Sequence, residues 1–474
     1  MTLRALLRLI SDEPNLSAMT SRLLTRREAL FGIGAFGAVC AASLGPFAHL
    51  ASARPPIHPP PSPKLIGLLV DSRDDIRLLD EIERASFVFF WEQMDPHTGI
   101  VRDRCFASGA DDPRVVGSIG ASAFGLTAMC IGAMRGYVAE DAARDRVRAA
   151  LRFYWTKLQH QHGFFYHFVN FRTGDRYEQF KSEISSIDTA LLVCGILTCR
   201  EYFKDDEISD LATKIYNRVD WQWLLQNGRV ASHGWVPETG FIPFTWSSYS
   251  EMMAIYLLGL GSPTHPFPSE TWDAWNRPTF QYEGIKYVGT FAPLFAHQFS
   301  HAWFDFRDRR DKYCDYFTNS AVATDVHRLF CLNLRKEFPD FSEDLWGVTA
   351  SDSPKGYEIW GGPPVVGHLD GTIAPCAAGG SVAFLPHATL PVLHNIKSRY
   401  GARAWSRYGF VDAFNPLQNW YDEDVIGIDT GITLLMAENA RSRFVWNTFM
   451  KNSEAQRGMD RALLQQYRAE YVMS

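Results

Sequence analysis

The chain has 474 residues, 46% hydrophobic and 14% aromatic, which is enough to bury a large core and excludes a disordered chain. Its formal charge is −6, and removing residues 1–53, with five arginines and three acids, leaves 42 basic against 50 acidic side chains. No basic run stands out, so nucleic acid is not an expected partner.

The chain opens on a twin-arginine pattern, Thr25 to Phe31 (TRREALF), followed by a Gly- and Ala-rich apolar run over 31–44 that is too short to span a bilayer. Ala51, Ser52 and Ala53 supply the small residues a signal peptidase reads. Residues 1–53 are therefore read as an export signal, and the mature protein is expected in the periplasm, without a membrane span and as a monomer. Residues 54–73 contain RPPIHPPPSPK, a proline-rich spacer. Residues 74–452 show no further linker and read as one domain, and 453–474 read as an amphipathic tail helix.

Helical periodicity dominates that domain. Ile76, Leu79, Ile82, Phe87, Phe90 and Trp91 recur at helical spacing, and 119–137, 142–158, 187–203, 248–260, 321–338 and 428–439 repeat the signature. Strand-like alternation is confined to 164–171 and 284–290. The fold class is all-α. One economical way to bury so many helices is an (α/α) toroid, a double ring whose inner helices present their ends to a central cleft. Beyond Cys40, seven scattered cysteines without a CxxC pair argue against a disulfide framework or a zinc site.

Two stretches combine acids with helix starts. SEISSIDTALL places Glu183 and Asp188 there, and SSYSEMMAIYLLGLGSP places Glu251. Ser185 to Asp188 and Ser248 to Glu251 both have capping-box form, so each acid has a structural reading as a helix cap. Their surroundings add a second reading. Trp246 and Tyr249 precede Glu251, GFFYHF precedes Glu183, and SHAWFDFR, WGVTASDSPKGYEIWGGPP and HLDGTIAP mix aromatics with acids. Sugars stack on rings while acids take their hydroxyls, so these loops suit a carbohydrate cleft. His297, His301 and Asp305 stand at i, i+4 and i+8 and on one helix form either a polar stripe or a metal face. No further ligand is visible, and no metal or cofactor is expected.

In order along 79–451, SEISSIDTALL, GWVPETGFIPFTWSSYSE, LGLGSPTHP, FAHQFSHAWFDFR, WGVTASDSPKGY, DGTIAP, YGFVDAFNP and GIDTGITLLMAENAR resemble the motifs of glycoamylase-like proteins, which include glycoside hydrolase family 144, the bacterial β-1,2-glucanases. The resemblance implies an (α/α)6 toroid and hydrolysis of β-1,2-glucan with inversion; endo-action is the expectation, although the sequence itself does not separate internal from end attack. Inversion needs a protonated carboxyl and an ionised one about 6.5–9.5 Å apart. By that resemblance Glu251 is the expected general acid. Asp429 of GIDTG is chosen as base for its place late in the chain, with Asp352, Asp370 and Asp305 as competitors. Glu183 is expected to shape the field around Glu251. Asp188, Trp246, Tyr249, His301, Trp303, Asp305, Arg307, Asp352, Tyr357, Trp360 and Asp370 are expected to contact the sugar. The alternatives are a transglycosylase or hydrolase of another glycan on the same fold, or a carbohydrate-binding protein without catalysis.

Overall fold

The structure is a computed structural model that describes residues 60–289, 293–363 and 367–466. The stretch read as an export signal, part of the proline-rich stretch and residues 467–474 lie outside the described residues. Within them the α-helices are α1 (Arg73–Gln93), α2 (Ile119–Arg135), α3 (Glu140–Thr156), α4 (Ser186–Phe203), α5 (Asp206–Arg218), α6 (Met253–Gly261), α7 (Tyr316–Asn333), α8 (Pro375–Gly379), α9 (Pro386–Asn395), α10 (Gly427–Ser442), α11 (Phe444–Phe449) and α12 (Ser453–Arg461). The protein is mostly helical, with short strands between the helices.

Sequence pattern separates two kinds of helix. α5 buries one stripe, Ile208, Leu211, Ala212 and Ile215, and leaves its charged face to solvent; α1 and α3 do the same. By contrast α2, α4, α6 and α10 are buried on nearly every side. Each fully buried Leu or Ile in them contributes about 1.5–3 kcal/mol. The amphipathic helices back the buried ones: α3 packs on α2, α5 on α4, α12 on α6 and α1 on α10. α2 and α4 meet at backbone distance because α4 carries Gly195, where a Cβ would lie 2.4 Å from the Ala123 carbonyl of α2.

Short strands lead into three of the buried helices. β1 (Val101–Arg102), β2 (Arg104–Phe106), β3 (Val116–Ser118), β4 (Phe168–Asn170), β5 (Ile184–Ser185), β6 (Gly234–Val236) and β7 (Asp424–Ile426) pair antiparallel as β1-β3-β4, β5-β6 and β2-β7. In the last pair Asp424 faces Phe106 and Ile426 faces Arg104. β3 ends on Ser118 and β5 on Ser185, and each serine caps the helix that follows by accepting a backbone N–H, from Ala121 at 3.1 Å and from Asp188 at 3.2 Å. Such a cap contributes about 1 kcal/mol and fixes where the first turn begins.

Three expectations are corrected. The helix read at 248–260 begins at Met253, with Met252 as its uncapped N-cap, so Ser248 and Glu251 do not form a capping box. The tail helix stops at Arg461, after which Gln465–Gln466 turns to pair with Arg309–Arg310. His297 and His301 lie on two 3-10 turns, Leu294–His297 and Phe299–Ala302, so the row through Asp305 is no helical face. Among the described residues no helix is long and apolar enough to cross a membrane, and the seven described cysteines are free thiols.

Candidate active site

The first turns of α2, α4 and α10 meet around one glycine. A Cβ on Gly120 would lie 2.4 Å from Asp188 Oδ1 and 3.5 Å from Ile428 Cγ2, so only a glycine in α2 lets the Asp188 carboxylate stand this close to the start of α10. Asp188 is further held by Ser185, whose hydroxyl donates to Asp188 Oδ2 at 2.6 Å. His167 completes the arrangement. Its Nδ1 is 2.9 Å from Glu183 Oε1 and its Nε2 is 3.6 Å from Asp188 Oδ2, so one imidazole spans both acids of SEISSIDTALL. The flat face of that imidazole stacks on Phe168 at 3.8 Å.

Glu251 stands two residues before α6, deep among protein atoms but with part of its surface open. Burial pushes its carboxyl up to about 7; its own backbone and the Ser250 hydroxyl pull the other way, and the charge of Asp188 adds to the rise. A carboxyl that holds its proton near neutral pH beside a second, separate carboxylate is the electrostatic arrangement general acid catalysis needs.

A second group of acids gathers where β2 and β7 pair. Arg104 Nη1 contacts Asp352 Oδ2 at 2.5 Å, and the same guanidinium reaches Asp103 at 3.3 Å and Asp424 at 3.8 Å. Burial alone would depress Arg104, yet Asp352, Asp103 and Asp424 hold it well above its ordinary value. Arg114 bridges Asp424 and Asp112. Asp412 Oδ2 accepts the Asp352 N–H at 2.7 Å. Burial, then the neighbouring Asp429 and Asp352 charges, push Asp412 well up, and burial with Asp352 and Asp424 does the same to Asp422. Asp429, in the first turn of α10, joins this group through its influence on Asp412 and on the buried Cys376 thiol.

Glu183, Asp188 and Glu251 thus form one group, linked by His167 and by the charge Asp188 exerts on Glu251, and Asp429 and Asp352 belong to a second, through their effect on Asp412. The expected aromatic wall does not form from the residues chosen for it. Trp246, Tyr249, Trp303, Tyr357 and Trp360 are each at most 8% exposed, so none offers an open ring face. Trp246 stacks on His233 at 3.7 Å and donates to Ser186 Oγ at 2.8 Å. Tyr249 is tied to His297 Nδ1 at 3.1 Å, Trp303 to Thr127 at 3.0 Å and Trp360 to Ser351 at 3.2 Å, and Tyr357 packs in a small cluster with Ala350, Ile359 and Ile426. The half-buried rings beside Glu183 are instead Tyr166 and Trp235, both paired with Ile184.

His301, Asp305 and Arg307 are also misplaced for sugar contact. His301 is buried, bonded to Ser320 at 3.1 Å and driven down to about 3 by burial, hence neutral. Asp305 pairs with Arg307 at 2.6 Å, and Arg307 lies over Trp446 of α11, which follows the C-terminal end of α10 and so sits away from the helix starts. Asp370 accepts the Thr372 N–H within its own loop and the Gln418 side-chain N–H from the segment after Asn415. Sequence reasoning passed over His167, Arg104, Asp412, Asp422 and Asp424. The signal was present in three aspartates within 412–424, just ahead of GIDTG, and in a histidine inside an aromatic run.

The family model described as "Putative glucoamylase" matches residues 243–453. A solved "putative glucoamylase" from Bacteroides caccae ATCC 43185 is 30% identical, covers 82% of this chain and 98% of its own, and superposes with a TM-score of 0.76. The chain belongs to the glycoamylase-like family. Among its relatives, an endo-β-1,2-glucanase from Chitinophaga pinensis, solved with sophorotriose and glucose, is 26% identical over 83% of this chain and 98% of its own, with a TM-score of 0.76. An exo β-1,2-glucooligosaccharide sophorohydrolase from Parabacteroides distasonis is 27% identical over 424 residues, 82% of this chain; the match spans 58% of that protein's length.

Proposed function

We propose that this glycoamylase-like protein is a glycoside hydrolase that cleaves β-1,2-glucan internally, with inversion, from an (α/α)6 frame. The observation that carries the reading is Glu251, a carboxyl poised near pH 7 by burial and by the charge of Asp188. Water attacks the anomeric carbon as the glycosidic C–O bond breaks. Glu251 gives its proton to the departing sugar oxygen, Asp429 takes the proton that water loses, and solvent exchange resets both. Each proton transfer contributes about 10²–10⁴-fold to rate. Glu183 and Asp188, fixed by His167, accept sugar hydroxyls and shape the field at Glu251. Asp352, gripped by Arg104, holds the opposite wall.

Two further lines support the frame and the mode of attack. Contacts run from α2 to α4 and α6, across Ser300, which accepts the Ala254 N–H at 3.0 Å, to Gln298, which donates to the Ala377 carbonyl of α8 at 3.0 Å, and on through α10 back to α2. Six inner segments in that order are what a toroid requires. Internal cleavage is proposed by likeness to the Chitinophaga endo-β-1,2-glucanase, which the match spans over 98% of its length, against 58% of the sophorohydrolase. Export by the twin-arginine route to the periplasm belongs to the same proposal and rests on TRREALF and Ala51-Ser52-Ala53.

Incubation with linear β-1,2-glucan beside β-1,3- and β-1,4-glucans tests the substrate; equal inactivity on all three ends the proposal. Polarimetry during hydrolysis reads the first anomer formed, and a retained anomer or transfer products would replace inversion by a double displacement. N-terminal sequencing of the protein recovered from a periplasmic fraction tests the export route.

A further inference from the structure

The acids beside β7 carry a property the hydrolytic reading leaves unused. Asp352, Asp412 and Asp422 come from two separate loops, are each less than a tenth exposed, and turn one carboxylate oxygen apiece into a common space, the three within 4.8 Å of one another. The nearby cations are already engaged: Arg104 with Asp103, Asp352 and Asp424, and Arg114 with Asp112 and Asp424. Among the described residues, no basic nitrogen forms an ion pair with Asp412 or Asp422. One oxygen of each is held by a backbone N–H, Asp412 Oδ2 by Asp352 at 2.7 Å and Asp422 Oδ1 by Asp424 at 3.2 Å. The other oxygen, Oδ1 of Asp412 and Oδ2 of Asp422, is buried with no donor to meet it, and Asp422 has the Asp352 carboxylate beside it.

Leaving two such oxygens bare costs several kcal/mol, so something must satisfy them. A shared proton can join two of the three carboxylates but leaves the third oxygen unmet. A cation can meet all three at once. We propose that Asp352, Asp412 and Asp422 form a binding site for a single calcium ion. All three donors are hard oxygens, which excludes the soft-ligand metals and points to calcium or magnesium. Magnesium keeps several waters and is held by one or two carboxylates, whereas calcium takes about six to eight oxygens, so three carboxylates turned into one buried space suit the larger ion. The backbone N–H groups on the second oxygens orient the first ones, as outer contacts do at metal sites. The ion ties the 352 loop to the 412–422 loop and offsets the repulsion that Asp412 exerts on Asp429. The site stands independently of the hydrolytic proposal, because its test reads binding.

Full-length mature protein is assayed for metal content as purified, stripped with a chelator, desalted, and titrated with CaCl2 and separately with MgCl2 by calorimetry and thermal melting. The expected result is one calcium per chain, a Tm rise of about 2–4 °C at saturating calcium, and magnesium about tenfold weaker or worse. D412N and D422N, with unchanged circular dichroism, each lose tenfold or more in calcium affinity. The proposal is overturned if stripped wild-type protein gives neither heat nor a melting shift with calcium, or if both variants bind as the wild type does. Variants that melt higher than the ion-free wild type while the wild type ignores calcium would identify a proton-sharing cluster instead. Should neither variant fold, the wild-type titration decides.

Discussion

Glu251→Gln keeps the size of the side chain and removes its proton chemistry, and the structure sets the magnitude of two separate effects. Moving a glutamate from its ordinary 4.5 to about 7 stores about 3 kcal/mol against the ionised form. Because the folded value is raised above the unfolded one, the native state holds this proton more tightly. That contribution to stability is complete below about pH 4.5 and is lost as pH rises through about 7. Above neutrality the wild type therefore carries a buried, ionised Glu251 that Gln does not. Part of the group remains open to solvent, so the gain from E251Q near pH 8 is about 1–2 kcal/mol, vanishing near pH 4.5. Turnover falls in the same variant by about 10²–10⁴-fold. Thermal melts from pH 4.5 to 9 and reducing-sugar release from β-1,2-glucan over the same range read both effects, and wild-type kcat/KM declines above about pH 7. E251Q keeping more than a tenth of wild-type turnover, or a wild-type profile flat to pH 9, would rule out Glu251 as the general acid.

Three further outcomes follow from the same geometry. Asp188→Asn removes a charge that raises Glu251, so the alkaline limb of the kcat/KM profile moves to lower pH; an unmoved limb would disconnect the two acids. Gly120→Ala drives a methyl to 2.4 Å from Asp188 Oδ1, and steady-state kinetics should show a loss of about 10–100-fold in kcat/KM with a native far-ultraviolet spectrum. Arg104→Met leaves Asp103, Asp352 and Asp424 buried without their shared cation, and denaturant unfolding should show a loss of about 3–5 kcal/mol; a loss below about 1 kcal/mol would mean these carboxylates are neutral in the native state.

Helices were legible wherever apolar residues recurred over many turns. The buried faces of α1, α3 and α4 lie within a residue or three of the spans expected from spacing alone. Short or uneven segments were not, since α8 has five residues and the 3-10 turns over 294–302 carry no helical repeat. The aromatic residues misled for a physical reason. Trp and Tyr satisfy their polar tips inside a core as readily as at a cleft, as Trp303 does with Thr127 and Tyr249 with His297, and composition does not distinguish the two. Acids behaved differently. Glu183, Asp188, Asp352 and Asp429, scattered over 247 positions of sequence from 183 to 429, stand at the starts of buried helices or in the loops beside them, because a buried carboxylate survives only where backbone N–H groups, a guanidinium or another acid's proton can meet it.

Glu251 can serve as an acid although SSYSE looks like a helix start. A helix N-terminus favours the ionised form by about 0.3–1 kcal/mol. The net rise to about 7, led by burial and helped by Asp188, outweighs it at about 3 kcal/mol, and the helix begins only at Met253, so Glu251 stands ahead of the turn where the dipole acts most strongly. Asp188 has the opposite placement, inside the first turn of α4 with the Ser185 hydroxyl on its carboxylate, where negative charge is favoured. Two acids that read alike in sequence therefore take opposite parts. One supplies a fixed negative field, and the other, desolvated within reach of that field, keeps the proton that cleavage of a glycosidic bond consumes.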